Sequence, residues 1–299
     1  MNAARTARTS SWMMLGLAVL VLAQAATADW RPNAADPMNA TNHKMHFPQM
    51  PDPNGWDVDF WSHTMLEDPT GQEYFVSAAV PADDWECSGT GPVSDIHFWV
   101  SMRGDTLDAN PDKIVPFQIT SLGMWIYDNV PADPAIPDDY SRPGEQRWEA
   151  FFYDPCEFQV THWDVGQQGW FDPLWQEATP GDHDHIYQVN IPDTSVSGDD
   201  PFIQTEGEIY WLQLNVAAED LDGNAVELGW KTSLTQFMDD ATYFYTEARH
   251  QGLPEQLAEY RELIIEGQSL DLAFVITPEP ATLALLGLGA AGVLIRRRR

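Results

Sequence analysis

The chain has little positive charge and almost no cysteine. Its 299 residues include 15 Lys and Arg against 46 Asp and Glu, which gives a formal net charge of −31, and two Cys. A field of that sign repels phosphate backbones, so the composition argues against nucleic acid as a partner. The 13 Trp and 13 Phe exclude a disordered chain, because so many aromatic side chains need a core in which to pack.

Recognisable catalytic motifs are also missing. The sequence contains no G-x-S-x-G nucleophile elbow, no H-E-x-x-H zinc helix and no phosphate-binding P-loop. Acidic doublets such as Asp83-Asp84 and Asp239-Asp240 occur, but with 46 carboxylates any pair can be nominated as the acid and base of a glycosidase. We expect Asp83 and Asp239 to be turn or cap residues. The sequence therefore predicts no catalytic residue, and the protein is not expected to be an enzyme.

The N-terminus has the three parts of a secretion signal. Arg5 and Arg8 precede the apolar run Trp12 to Ala23, which is followed by the small residues Ala26 and Ala28. This order predicts a signal peptide over residues 1–28, cleaved after Ala28 by signal peptidase. The alternative, an uncleaved membrane anchor, is disfavoured because the apolar run is shorter than the roughly 20 residues of a membrane span.

The C-terminal segment, residues 277–299, also has three parts. Pro278, Glu279 and Pro280 cannot continue a strand or enter a helix interior, and they predict an extended linker. The apolar run 281–295 predicts a short membrane helix, and the basic tail should hold its end in the cytoplasm. That tail consists of Arg296, Arg297, Arg298 and Arg299.

The order of the Pro-Glu-Pro motif, the apolar run and the Arg tail resembles the PEP-CTERM sorting signal of exported bacterial proteins. The resemblance implies a membrane-embedded exosortase-type processing enzyme as a partner. It implies transient anchoring at the inner membrane by the C-terminal helix, and then a place at the cell surface or in the extracellular matrix. Six of the fifteen basic residues lie in the two terminal signals, so the domain between them is more acidic than the whole chain.

The middle domain, residues 29–276, reads as strands and turns. Ile96, Phe98 and Val100 alternate with polar residues, and Leu270 to Ile276 alternates in the same way. The segment Ile209 to Val216 is apolar on both faces and predicts a central strand, followed by a hairpin loop at residues 221–224. About nine such strands predict an all-β fold, an antiparallel β-sandwich of jelly-roll type. One short C-terminal helix is expected at Pro254 to Glu266, with Gly267 as its stop.

Three segments of this domain carry a second resemblance. Ala82 to Cys87, followed by Gly91 to Trp99, is similar to a segment of uncharacterised β-rich modules in planctomycete-type PEP-CTERM proteins. Leu228 to Ser233 and Gln268 to Thr277 resemble later segments of the same modules. The resemblance implies one module of unknown function, and it assigns no catalytic residue.

Several residues are candidates for a bond or a ligand. Cys87 and Cys156 are expected to form a disulfide in an oxidising compartment, and closing a loop of about 70 residues would contribute about 4 kcal/mol. The alternative is two buried free thiols.

Asp220, Asp222 and Asn224 are weak calcium candidates, since they resemble the start of a calcium loop. The spacing of an EF-hand is not met, however, and a hairpin turn is the simpler interpretation.

His183 and His185 are candidates for a shared transition metal, because residues at i and i+2 of an extended segment lie on one side. A solvated loop is the default alternative, so no metal or other cofactor is assigned.

Tryptophans outside the strongest strands are candidates for stacking on sugar rings, and packing in the core or at its rim is the alternative. These tryptophans are Trp56, Trp61, Trp163, Trp170 and Trp175.

Three functions fit the sequence. The first is an exported envelope or matrix protein that binds extracellular polysaccharide or has a structural role. The second is a secreted hydrolase that acts on polysaccharide with paired carboxylates. The third is a calcium-stabilised adhesion module, in which the cation relieves the repulsion between acidic side chains.

Overall fold

The computed structural model describes residues 30–32, 43–60, 62–67, 73–93, 95–137, 139–191, 194, 200–238, 240–247 and 257–277. The chain divides into two compact units, which are Arg31–Pro278 and, as the second, Met1–Trp30 together with Glu279–Arg299. The second unit contributes Trp30 alone to the described residues, so the fold below is that of the first. The predicted signal peptide, the membrane helix and the sorting motif lie outside the described residues.

The described residues form strands joined by turns and loops, with the short 3-10 helix Pro155–Glu157 and a single further residue, Thr194, in 3-10 conformation. The strands are β1 (Trp56–Asp59), β2 (Ser62–Glu67), β3 (Glu73–Glu86), β4 (Gly91–Pro92), β5 (Asp95–Met102), β6 (Phe117–Val130), β7 (Arg142–Phe152), β8 (Gln159–Asp172), β9 (Glu177–Ile191), β10 (Ile203–Gln204), β11 (Ile209–Asp220), β12 (Ala225–Val226), β13 (Leu228–Lys231), β14 (Thr242–Glu247), β15 (Leu257–Glu262), β16 (Ile264–Ile265), β17 (Gln268–Ser269) and β18 (Phe274–Thr277).

Five strands close into a small barrel. β13 pairs with both β1 and β5, so the order β13-β1-β8-β9-β5 returns to the strand from which it started. β1 and β8 run parallel, the other neighbours are antiparallel, and β18 extends the barrel sheet beyond β5. The all-β class is confirmed. The closed ring and the parallel pair, however, are not the strand order of an antiparallel jelly roll.

A second sheet lies beside the barrel, with the order β15-β14-β3-β11-β6-β7. β11 pairs with β3 on one side and with β6 on the other, which confirms the predicted central strand. β12 folds back onto β11 and β2 is added to β3. The loop between β11 and β12 is the predicted hairpin, with Gly223 at φ +84°.

The hydrophobic core lies between the barrel and the second sheet. Trp230 of β13 stacks on Phe60, and Phe274 of β18 meets Trp85 of β3 edge-on at a centroid distance of 6.1 Å. All four side chains are fully buried. Phe60 follows β1, so its stack on Trp230 lies within the barrel sheet, whereas the Phe274–Trp85 contact joins that sheet to the second one. Burying one such side chain contributes about 1.5–3 kcal/mol.

The inside of the barrel is polar. The Ser101 hydroxyl of β5 donates to Gln168 Oε1 of β8 at 2.9 Å, past the intervening strand β9. Trp99 of β5 contacts Trp163 of β8 across the same strand. Contacts between strands that are not neighbours require side chains that point inward. Alternate residues of these strands therefore face the barrel interior, and their neighbours in sequence face the core.

The predicted helix at Pro254 to Glu266 is wrong. Within it, Leu257–Glu262 form the edge strand β15, which pairs with β14 along its whole length. The Tyr260 hydroxyl donates to Gln213 Oε1 of β11 at 3.0 Å, and Gly267 lies in the β16–β17 turn at φ +77°. Pairing with the free edge of β14 supplies backbone hydrogen bonds and side-chain contacts, and these override the helical spacing of the apolar residues.

Gly229 provides a test of the barrel interior. A Cβ at this position would lie 2.8 Å from Asp57 Cβ and 2.9 Å from the Trp170 ring. Gly229→Ala should therefore lower the free energy of unfolding by about 1–3 kcal/mol through overpacking. Urea unfolding of the full chain, followed by tryptophan fluorescence, measures this change.

Gly89→Ala is the matched control, because a Cβ there meets no atom within 4 Å. Equal stabilities of the two variants would contradict the inward direction assigned to residue 229.

Candidate functional site

The structure separates the five candidate tryptophans. Trp170 is buried inside the barrel, while Trp56 and Trp163 are half-buried. Trp61 lies outside the described residues. Trp175 is 65% exposed. It is the member of this set that presents its ring to solvent in the described part of the chain.

Trp175 sits at the tip of the hairpin between β8 and β9. Asp172 Oδ1 accepts hydrogen bonds from the backbone N–H groups of Leu174 and Trp175, at 2.9 and 3.1 Å. Gln176 then turns the chain at φ +52°, and its Nε2 donates to the buried Tyr243 hydroxyl at 3.0 Å. The hairpin tip is thus held at both ends, which fixes the backbone of the exposed Trp before any ligand arrives.

A groove of about 550 Å³ runs beside Trp175, between the barrel and the second sheet. Its lining comes from β1, β2, the β8–β9 hairpin, β11, β12 and β13. The lining residues are Asp59, His63, Asp172, Trp175, Val216, Ala217, Ala218, Ala225, Val226, Glu227 and Leu228. Among the described residues, the grooves of similar size beside Arg147 and beside Trp56 present no exposed Trp.

The groove combines an apolar floor with acidic walls. Ala217 of β11 and Val226 of β12, which are half-buried, supply small or aliphatic surface, whereas Val216, Ala218 and Leu228 are buried. Asp59, Asp172 and Glu227 contribute carboxylates, and Glu227 is paired with Arg103 at 3.0 Å. The lining residues that the structure describes include no Lys or Arg. Such a surface can stack a flat apolar face on Trp175 while its oxygen atoms accept hydrogen bonds from hydroxyl or amine groups.

Asp57, two residues before the groove residue Asp59, is the centre of a buried ionic cluster inside the barrel. Lys231 Nζ and His183 Nε2 each lie 2.8 Å from Asp57 Oδ2, and all three side chains are fully buried. His183 Nδ1 contacts Asp182, whose other oxygen accepts from Arg103 Nε at 3.3 Å. These bonds join β1, β9, β13 and the end of β5.

The charges of this cluster support one another. Burial alone would lower the pKa of His183, but its hydrogen bonds to Asp182 and Asp57 raise it to about 9. Burial raises the pKa of Asp57, yet the charges of Lys231 and His183 outweigh that effect and lower it. Burial lowers the pKa of Lys231 against the opposing charge of Asp57. Hydrogen bonds within the cluster therefore compensate for the water that these buried charges have lost.

A second buried cluster joins β3 to the chain before β18. Asp83 Oδ2 accepts from the Leu272 N–H at 2.6 Å, and Asp271 Oδ2 accepts from the Phe237 N–H at 2.5 Å. The Gln49 amide nitrogen lies between the two carboxyl groups, at 3.2 and 3.5 Å. Asp83 is therefore a buried strand residue, and its predicted turn or cap role is wrong. Asp239 lies outside the described residues.

The carboxyl groups of this cluster bind protons tightly. Burial, together with the charges of Asp271 and Asp84, raises the pKa of Asp83 well above its usual value. Burial also raises the pKa of Asp271 to about 7, against the lowering effect of its hydrogen bonds with Phe237 and Gln49. A carboxyl group in such a site is held in its neutral form at a pH where exposed Asp is ionised.

The calcium candidates form a turn. Asp220 Oδ1 accepts from the backbone N–H groups of Asp222 and Asn224, at 2.9 and 2.8 Å. The Asn224 side-chain nitrogen also donates to Asp220, and these hydrogen bonds lower the pKa of Asp220. The three residues therefore stabilise the β11–β12 hairpin, and the Asn224 amide points a donor rather than an oxygen at the carboxylate.

The two histidines do not share a metal site. His183 uses both ring nitrogens on Asp57 and Asp182, whereas His185 Nδ1 contacts His162 Nε2 at 3.1 Å. In the part of the chain that the structure describes, no three His, Cys, Asp or Glu side chains lie together so that they could hold a metal ion.

The predicted disulfide between Cys87 and Cys156 is not formed in the structure, where both thiols are free. Cys87 is buried and its Sγ donates to the Gly89 carbonyl at 3.3 Å, while Cys156 is exposed on the 3-10 helix after Asp154. Because Cys156 is at the surface, the two thiols are not both buried. Within the described ranges, no helix is long and apolar enough to cross a membrane.

The fold and site define an all-β domain that combines a closed barrel with a polar interior and a groove along its side. Residues 45–277 match the model of a domain of unknown function, DUF7901, and the chain belongs to that family. Residues 277–299 match the PEP-CTERM protein-sorting motif, which identifies an exported protein that is sorted through an exosortase-type enzyme and anchored transiently by its C-terminus. No curated protein and no solved structure matches the chain.

The raised pKa of Asp271 predicts a stability that falls as pH rises. Between pH 4 and 7 the folded chain keeps a proton that an unfolded Asp has lost, because the pKa is raised from 3.8 to about 7. This group should lower the free energy of unfolding by up to about 1.4 kcal/mol per pH unit in that window. In urea unfolding between pH 4 and 8, Asp271→Asn should remove the part of the pH dependence of the free energy of unfolding that Asp271 contributes.

Asp108→Asn, in the exposed loop after β5, is the control and should keep the slope of the wild-type chain. If the Asp271 variant shows the wild-type slope, Asp271 does not hold the proton.

Proposed function

We propose that this protein is a non-enzymatic component of the cell envelope or extracellular matrix, and that it binds polysaccharide through the groove beside Trp175. Signal peptidase removes residues 1–28, the exosortase-type enzyme acts at Pro278-Glu279-Pro280, and the domain works at the cell surface or in the matrix. The observation that carries the proposal is the Trp175 ring, 65% exposed at the tip of an anchored hairpin over an apolar floor.

Trp175 supports sugar binding through the shape and exposure of its ring. An exposed indole can stack on the C–H face of a pyranose ring, and its burial by the sugar removes apolar area from water. The hydrogen bonds from Leu174 and Trp175 to Asp172 hold the hairpin in place, so little conformational entropy is lost on binding.

The acidic groove sets the class of sugar. Asp59 and Asp172 line it together with Glu227, which is paired with Arg103, and no Lys or Arg is among the described lining residues, in a chain of net charge −31. A polysaccharide rich in uronate or sulfate would be repelled by this field. The ligand is therefore a neutral polysaccharide, or one that carries amino groups.

Replacing Trp175 tests the site. Trp175→Ala should weaken retention of the full chain in affinity electrophoresis with neutral polysaccharides by about tenfold, which corresponds to about 1.4 kcal/mol. Trp175→Phe should keep part of the affinity, because a smaller ring still stacks.

The control is Tyr153→Ala, which removes another exposed aromatic ring, 68% accessible and outside the groove. Wild-type retention by Trp175→Ala, or no retention of the wild-type chain on any neutral or amine-bearing polysaccharide, would contradict the proposal. Release of reducing ends would identify a hydrolase instead.

A further inference from the structure

Lys231 and Asp57 face each other inside the barrel. They are directly opposite residues of the paired strands β13 and β1. Lys231 Nζ lies 2.8 Å from Asp57 Oδ2, and both side chains are fully buried inside the barrel. An amine held this close to a carboxyl group, without access to bulk water, is a nucleophile beside its electrophile.

A third group stands at the same oxygen. His183 Nε2 lies 2.8 Å from Asp57 Oδ2, and its other nitrogen contacts Asp182, which fixes the ring. The remaining carboxylate oxygen, Asp57 Oδ1, is buried and has no hydrogen-bond partner among the described residues. Asp57 Oδ2 therefore lies beside a proton donor, whereas Asp57 Oδ1 does not need to gain a proton in the reaction proposed below.

We propose that Lys231 and Asp57 join in an intramolecular isopeptide bond, with His183 as the proton carrier. This inference concerns the interior of the barrel and is independent of the polysaccharide groove.

The reaction balances without any external reagent. Lys231 passes one proton to Asp57, and the neutral amine attacks Asp57 Cγ to form a tetrahedral intermediate. His183 gives its proton to Oδ2, which leaves as water when the C–O bond breaks, and it then takes the second proton that nitrogen must lose. The ammonium and the carboxylate thus become one amide and one water, and Oδ1 becomes the amide carbonyl oxygen.

The surroundings favour the amide over the ion pair. Two buried charges cost desolvation energy, and the amide removes both of them. Burial lowers the pKa of Lys231, which favours the neutral amine, while the pKa of His183 is raised to about 9, so that its imidazole holds a proton at neutral pH. The bond would close a loop across 174 positions of the chain and lock the barrel shut outside the cell.

Mass spectrometry of the wild-type chain tests the proposal directly. The reduced and denatured full chain should weigh one water less than its sequence. Trypsin should fail to cut after the acylated Lys231, so the fragment Met45–Arg103 should appear joined to Trp148–Arg249 in one cross-linked species.

Three variants test which two side chains form the bond. Lys231→Arg should restore the full mass, and the matched Lys113→Arg should keep the loss of water. Asp57→Asn should lose ammonia in place of water, because the amide then releases its nitrogen. A wild-type chain at full mass that is cut by trypsin after Lys231 would overturn the proposal, whether or not the variants fold.

Discussion

The carboxylate of Asp57 is the interaction on which the barrel depends. It accepts from Lys231 of β13 and from His183 of β9, and so ties β1 to two other strands from inside. β13 closes the ring, since it pairs with β1 on one side and with β5 on the other. Removing one partner of a buried ion pair typically costs about 3–5 kcal/mol, because the other charge is left without compensation. The polar interior is thus a condition for closure and cannot be exchanged for an apolar one residue at a time.

The groove is built on the same strands. Asp59 follows Asp57 by two residues on β1, Asp172 follows Trp170 by two on β8, and Leu228 precedes Lys231 on β13. β1, β8 and β13 thus supply residues both to the barrel interior and to the groove wall. A binding surface on such a frame keeps its shape in the absence of ligand, as recognition of sugars by stacking requires.

Local patterns predicted local structure well. The alternation of Ile96, Phe98 and Val100 identified β5, and the apolar segment from Ile209 identified the central strand β11. The helix at Pro254 to Glu266 failed because the deciding factor was the edge of β14, which the local spacing cannot reveal. Barrel closure could not be predicted from the sequence either, because Asp57 and Lys231 are 174 positions apart and no motif links them. The sequence offered five tryptophans for a sugar site, but which of them is exposed depends on the packing of the whole sheet.

The most direct test of the binding account is hydrogen–deuterium exchange of the full chain with and without a neutral or amine-bearing polysaccharide. The account predicts that added protection is confined to the groove, at residues 58–63, 172–176 and 216–228, and that the barrel interior around Lys231 is protected in both states. Protection confined to another face, or protection around Lys231 that appears only with the polysaccharide, would contradict it.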